Sequence, residues 1–516
     1  MKSTNTHKFS QVPKAEIPRS SFNRTHGYKT TFDAGMLVPF LADETLPGDT
    51  FNVNTTIFAR LNTPIVPFMD NLFLDTFYFA VPLRLLWDNF PRMMGEEPNP
   101  GDSTDFLVPQ LSLDGTEPAH SLGDYLGLPI GTACTVSSLW HRAYNTIYNE
   151  WFRDENLQDR AVQLTDDVTQ TNADFLLRRR GKRHDYFTSA LPWPQKGPGV
   201  ELPIGETAPI ISNYTVPTFQ DTTEQLDHSL NMAGGGNLET NNGASSTNPA
   251  TFGTNTGLEA DLSAASAVSI NSMRQAFQMQ RLMERDARGG TRYTEIIRAH
   301  FGTVSPDYRL QRPEYLGGNS TPIMVHQVAQ TSTAFSDQTP LGTLAAYGTV
   351  QARDGFTKSF TEHCVVLGLC FVRADLTYQR GIPRMFSRKS RFDFYWPALS
   401  HLGEQAILNK EIYAQNSSAD DDVFGYQERW AEYRYYPSQI TGKLRSTDAE
   451  SLDYWHLAQD FITLPTLSPN FIVDNPPIDR VVAIPSEPDF LLDSYIEMKC
   501  ARPMPTYSVP GMIDHF

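Results

Sequence analysis

Five cations fall within seven residues at Arg178–His184 (RRRGKRH): Arg178, Arg179, Arg180, Lys182 and Arg183. Affinity for phosphate follows the count of such cations and weakens with salt. Tyr186, Phe187 and Trp193 follow them, and aromatic rings stack on bases with little regard to sequence. The segment therefore reads as a contact for nucleic acid. Two plainer readings stand beside it: a solvated loop, or a patch that pairs with acid on a neighbouring subunit. Arg384–Arg391 (RMFSRKSR) is a second segment of the same kind.

Bond-making chemistry leaves fewer traces. The chain contains no GxxxxGK[ST], GxGxxG, HExxH or GxSxG pattern. His300, His326, His363, His401 and His456 each stand without a second ligand at metal spacing, and a structural role is expected for them. Asp420–Asp422 lacks the spaced oxygens and glycine turn of a calcium loop and reads as a solvated turn. No pair of carboxylates is singled out for glycoside chemistry. No catalytic residue, metal or cofactor is expected.

Charge is distributed unevenly. The 516 residues carry a net charge of −17, whereas a free nucleic-acid-binding domain is normally basic. Residues 1–32 run the other way. Lys2, Lys8, Lys14, Arg19, Arg24 and Lys29 face Glu16 alone, for a net of +5. Residues 447–516 hold three cations against eleven acids, for a net of −8. Ends of opposite sign suit a chain whose faces meet different partners.

The elements that must carry these groups are mostly strands. The 36 prolines and 33 glycines are spread along the chain, which disfavours long helices. Phe51–Leu61 places Phe51, Val53, Thr55, Ile57 and Ala59 on one face. Asn71–Leu83 and Phe360–Tyr378 are apolar on both faces, as in strands buried between layers, with Gly368 at a bulge or close approach. A strand is also expected at Arg480–Ile484. Another is expected at Phe490–Cys500, where Phe490, Leu492, Ile496 and Met498 oppose Asp493, Glu497 and Lys499. Two helices are predicted, at Val136–Asn156 and at Ser272–Arg288, the latter stopped by Gly289–Gly290. Residues 219–268 hold few large apolar side chains. They form an insertion without a core of its own, a loop or a projection ordered by copies of itself.

Cys134, Cys364, Cys370 and Cys500 are too few for a disulfide framework and include no CxxC. Cys364 and Cys370, six apart in a strand, are expected to be buried on one face. No apolar run reaches about 18 residues, and no leader segment opens the chain. A soluble protein made in a reducing cytoplasm is expected.

Several long blocks carry a resemblance. They include Ser21–Thr63, Met69–Trp87, Tyr144–Leu157, Asp185–Gly197, Arg281–Thr321, Gly355–His363, His401–Tyr413, Gly425–Leu444 (GYQERWAEYRYYPSQITGKL) and Arg502–Phe516 (RPMPTYSVPGMIDHF). In order and over nearly the whole chain, they resemble the major capsid protein of the Microviridae, the small icosahedral single-stranded DNA phages, in its gokushovirus branch. The resemblance implies a mainly β fold. This is a single viral jelly roll, an eight-stranded antiparallel β-barrel or sandwich, with long loop insertions and a few short helices. It implies no enzyme activity. It implies a T=1-type icosahedral shell around circular single-stranded DNA, assembled in the host bacterial cytoplasm and found in the virion.

Partners implied are other copies of the chain, the packaged DNA, a small basic DNA-binding viral protein, a pilot protein, a scaffolding protein and a host surface receptor, with no membrane insertion. Residues 1–32 would be a basic arm and 33–516 one capsid domain. The Gly/Asn/Ser/Thr-rich insertion at 213–268 would project at the three-fold axes and contribute to host attachment, with Asn231, Gly234, Gly235, Gly236, Asn241 and Asn242 on its surface. Lys2, Lys8, Lys14 and Arg178–Arg183 would face DNA. The loop aromatics Tyr426, Trp430, Tyr433, Tyr435 and Tyr436, with Phe516, are candidates for contacts between subunits. Two readings from other classes remain beside this one: a β-sandwich glycan-binding protein or hydrolase, and a trimeric adhesin.

Overall fold

The computed structural model describes residues 18–200, 210–212, 218–221, 227–232, 238–240, 250–252, 258–260, 270–331 and 341–507. They fall into two compact units. One comprises the residues up to Pro194 and from Gly289 onward, and the other comprises Gln195–Arg288.

The larger unit is built on nine strands: β1 (Ser20–Asn23), β2 (His26–Phe32), β3 (Val38–Thr45), β4 (Thr50–Leu61), β5 (Leu72–Pro82), β6 (Glu314–Ala329), β7 (Leu344–Ser359), β8 (Cys364–Ala374) and β9 (Phe490–Arg502). Their order is β1-β9-β4-β7-β6-β5-β8-β3, with β2 also beside β9. All pairings along this path are antiparallel. β6 makes the turn from one layer to the other. Its Glu314–Ile323 half pairs with β5, and its Met324–Ala329 half pairs with β7. The sheet thus curls into a jelly-roll-like β-sandwich.

Alternation fixes the register where one face is wet. On β4, Phe51, Val53, Thr55, Ile57 and Ala59 are buried and their neighbours are not. On β9, Phe490, Leu492, Ile496 and Met498 are buried while Asp493, Glu497 and Lys499 point to solvent. A slip of one residue would turn either set outward. β5 and β8 are apolar on both faces for a reason visible in the packing. Leu74, Tyr78, Val366 and Cys370 fill the sandwich interior. Phe79, Val81, Val365 and Leu367 pack beneath the helix α1 (Leu139–Ile147) through Leu139, Ala143 and Ile147. Gly368 sits at a register shift between β8 and β3, and a Cβ there would lie 2.9 Å from that of Leu41. Cys364, Cys370 and Cys500 are free and buried.

Some expectations need correction. The helix predicted from Val136 begins at Leu139, because Ala133–Ser137 is taken as a strand by Gln110–Asp114. It changes to a π turn over Tyr148–Phe152. The strand expected at Arg480–Ile484 is instead a 3-10 turn at Ile478–Arg480, after which Val481 and Val482 are buried. There Arg480 donates to the carbonyls of His456 (2.7 Å) and Ala458 (2.9 Å), which holds the chain in a turn. Part of the arm expected over residues 1–32 is strand: β1 and β2 belong to the sandwich, where Lys29 pairs with Asp493 at 2.7 Å and Arg24 with Asp43, and residues 1–17 lie outside the described residues.

The smaller unit has its own secondary structure. Thr218–Asp221, Asp227–Met232, Leu238–Thr240 and Ala250–Phe252 form one antiparallel sheet, and Ile210–Ser212 pairs with Leu258–Ala260. The helix α2 (Ile270–Gly289) ends at Gly290, which adopts a left-handed φ of 98°. Asn231 lies in one of these strands, whereas Gly234, Gly235, Gly236, Asn241 and Asn242 lie outside the described residues, as do Lys2, Lys8, Lys14 and Phe516.

Candidate assembly and nucleic-acid surfaces

Arg178–Lys182 is drawn between two distant segments. The amide of Leu37 donates to the carbonyl of Arg178, and that of Arg180 to the carbonyl of Gly35 (2.9 and 3.0 Å). On the other side, Lys182 donates to Ile472 and Asp474 donates to Arg180, both at 2.7 Å. The close fit requires Gly35: its φ is +76°, and a Cβ would fall 2.1 Å from the Asp474 carbonyl. Backbone satisfied on both sides cannot also be a free loop.

The side chains follow the backbone inward. The Arg180 guanidinium lies 4.4 Å over Phe371 and pairs with Asp75 at 3.4 Å. Asp75 is shared with Arg373 at 3.0 Å. Arg179 donates to the carbonyls of Ala34 and Asp474. The Lys182 ammonium is buried over Phe471 (4.5 Å) and donates to Gln459 at 3.0 Å. Burial lowers its pKa to about 8 against the pull of Asp474. Burial raises the Asp474 carboxyl to about 7, opposed by Lys182, Arg180, Arg373 and Arg179.

The segment is therefore a fastener within its own unit for most of its length. Arg183 and His184 are exposed. Arg183 shares an open cleft with Arg180, Arg373, Asn319, Ser320 and Tyr315. The stacking role expected of Tyr186 and Phe187 is corrected: both are buried in a satellite core with Tyr378, Phe424 and Phe471. A ring that is already covered has no free face for a base.

The second basic segment behaves differently. Arg384 pairs with buried Glu411 at 2.9 Å, and Arg388 pairs with Glu432 at 3.6 Å. The Asp393 carboxylate accepts from the amides of Lys389 (2.9 Å) and Ser390 (2.7 Å), closing a 3-10 turn. These hydrogen bonds hold its pKa below the ordinary value. The turn leaves Lys389 and Arg391 exposed, together with Phe392, Phe394, Tyr395 and Trp396.

Of the expected contact residues, Tyr433, Tyr435 and Tyr436 are exposed, Tyr426 is half-buried and Trp430 is buried. Trp430 adopts a left-handed φ of 69°, which is costly for a bulky residue. Its Nε1–H donates to the Leu399 carbonyl at 2.9 Å, and Tyr395 packs edge-on at 5.7 Å. The exposed rings of 386–396 were missed from sequence. The signal available was RFDFYWP, in which rings alternate with charge up to a proline.

Among the described residues, no group of three or more His, Cys, Asp or Glu could hold a metal ion. No described helix is long and apolar enough to cross a membrane.

Residues 10–512 match the family model described as capsid protein (F protein). The chain is 46% identical to capsid protein VP1 of Bdellovibrio phage phiMH2K, with 99% of each chain covered. It is 43% identical to capsid protein VP1 of Chlamydia phage 1, covering 98% of each. It is 36% identical to capsid protein VP1 of Spiroplasma virus 4, covering 98% of this chain and 97% of that one.

Proposed function

We propose a particle-building role for this chain, which belongs to the capsid protein (F protein) family of small single-stranded DNA phages. It is a major capsid protein and a component of the virion, from a family not known as enzymes. In our reading, copies of it close a T=1-type icosahedral shell around circular single-stranded DNA inside the host bacterium. The observation that carries this reading is the match to three capsid proteins over at least 97% of every chain compared. A chain far longer than a sandwich requires suits a subunit that must meet several neighbours. Lys2, Lys8, Lys14 and the cleft at Arg183 would face the DNA. A small basic DNA-binding protein, a pilot protein and a scaffolding protein would take part in assembly. The 213–268 insertion would contribute to attachment at a host surface receptor.

Negative-stain electron microscopy of a nuclease-treated gradient fraction tests the shell. Uniform icosahedral particles or their pentameric pieces, with protected DNA in the closed ones, are expected. A monomer or trimer under every assembly condition would overturn the reading. Particles lacking residues 219–268 should still form, because the sandwich core lies elsewhere, but should adsorb poorly to host cells.

A further inference from the structure

Two segments with different expected partners meet on one surface. Tyr395 joins them: its ring is edge-on to Trp430 at 5.7 Å, and its amide donates to the Tyr433 hydroxyl at 3.4 Å. Around this joint Phe386 is 73% exposed, Phe392 64% and Tyr436 68%. The count of available cations separates a nucleic-acid occupant from a protein one. Arg384 is held by Glu411 and by the Ala406 carbonyl at 2.7 Å. Arg388 is held by Glu432 and lies 4.4 Å over Tyr433. Of the cations on 384–391, Lys389 and Arg391 alone are in no ion pair among the described residues, and Arg391 lies 5.0 Å over Trp396. With Arg429, which lies 4.6 Å over Trp430 and is also in no ion pair among the described residues, that makes three such cations, still few for a polyanion. Exposed Phe, Tyr and Trp beside Met385 and Leu402 have the composition of a protein interface.

We propose that this patch is where a second copy of the same chain docks, an inference that rests on the shell-forming reading. The chain also carries a complement. Residues 94–107 include Glu96, Glu97, Asp102 and Asp105 and no Lys or Arg. In that loop Met94 is 54% and Leu107 85% exposed. The patch of one copy meets this loop of the next: Lys389 and Arg391 face its carboxylates while the rings cover Met94 and Leu107. Each copy carries both faces, so the contact is heterologous and closes into a ring when repeated about an axis.

The test uses the full chain, with wild type and variants followed by sedimentation velocity, circular dichroism and DNA content. Phe386→Ser with Phe392→Ser should fold as wild type but form assemblies at least about tenfold less readily. Lys389→Glu with Arg391→Glu should do the same, and adding Glu96→Lys with Glu97→Lys should restore assembly. If wild type never assembles, the shell reading and the docking site fall together. If wild type and the serine variant assemble equally, the docking site alone falls. Equal assembly with less DNA would assign the patch to nucleic acid instead. Charge reversal that the second pair does not rescue would overturn the 94–107 loop as the counterpart.

Discussion

Arg178–Phe187 and Arg384–Trp396 have nearly the same recipe, cations followed by aromatic rings, yet the first turns its rings inward and the second turns them out. The difference lies in the backbone. The first segment finds hydrogen-bonding partners on both sides, at Gly35–Leu37 and Ile472–Asp474, and its side chains are carried into the packed interior. The second is a pair of 3-10 turns, Arg384–Ser387 and Arg391–Asp393, with Asp393 closing the latter. Guanidinium groups serve both, as a cation stacked on a covered ring at Phe371 and as one lying over an open ring at Trp396. A run of cations is therefore not itself a surface, and partners far away in the chain decide whether it becomes one.

The sharpest way to break this contrast is at the rings. Phe371, 1% exposed beneath Arg180, should cost about 3–5 kcal/mol on replacement by Ala, read as the shift in a denaturant midpoint. A small loss would mean that the first segment is not a fastener.

Next in size is a pH effect confined to the first segment. Burial raises the Asp474 carboxyl from 3.8 to about 7, so the folded state keeps a proton that the unfolded state releases. This group's contribution is fully present below the unfolded value and is lost as pH rises toward about 7. Asp474→Asn keeps the neutral form throughout. Its stability should therefore decline less than that of wild type between pH 4 and 7, as followed by thermal unfolding. Parallel profiles would refute the role given to this carboxyl.

The smallest effect is expected in the second segment. Phe394→Ser, at a ring 51% exposed, should change unfolding by no more than about 0.5 kcal/mol. A loss comparable to that at Phe371 would erase the distinction between the two segments.

Much of the sandwich was legible because its signal is local. The period-two rows on β4 and β9 mark their buried faces, and the apolar run at residues 364–372 of β8 marks a strand covered on both sides. Gly368 announced a close approach that Leu41 makes. What was hidden depends on contacts across long stretches of chain. Nothing near Lys182 shows that Gln459 and Phe471 enclose it. Nothing near Trp430 shows that its neighbours hold it in a left-handed conformation. The strands within 218–252 escaped notice because short polar segments carry little hydrophobic rhythm.

The position of β9 governs when the molecule can take shape. This strand lies between β4 and the β1–β2 pair, and Ser494 hydrogen-bonds to the Tyr28 carbonyl across 466 residues of chain. A polypeptide emerging from a ribosome therefore carries β2 and β4 through most of its synthesis with a vacant slot between them. Their sheet edges stay open until residues 490–502 arrive, so this part of folding is a late event rather than a progressive one. Every nascent copy passes through an interval in which an equivalent strand from a neighbour would fit the same slot.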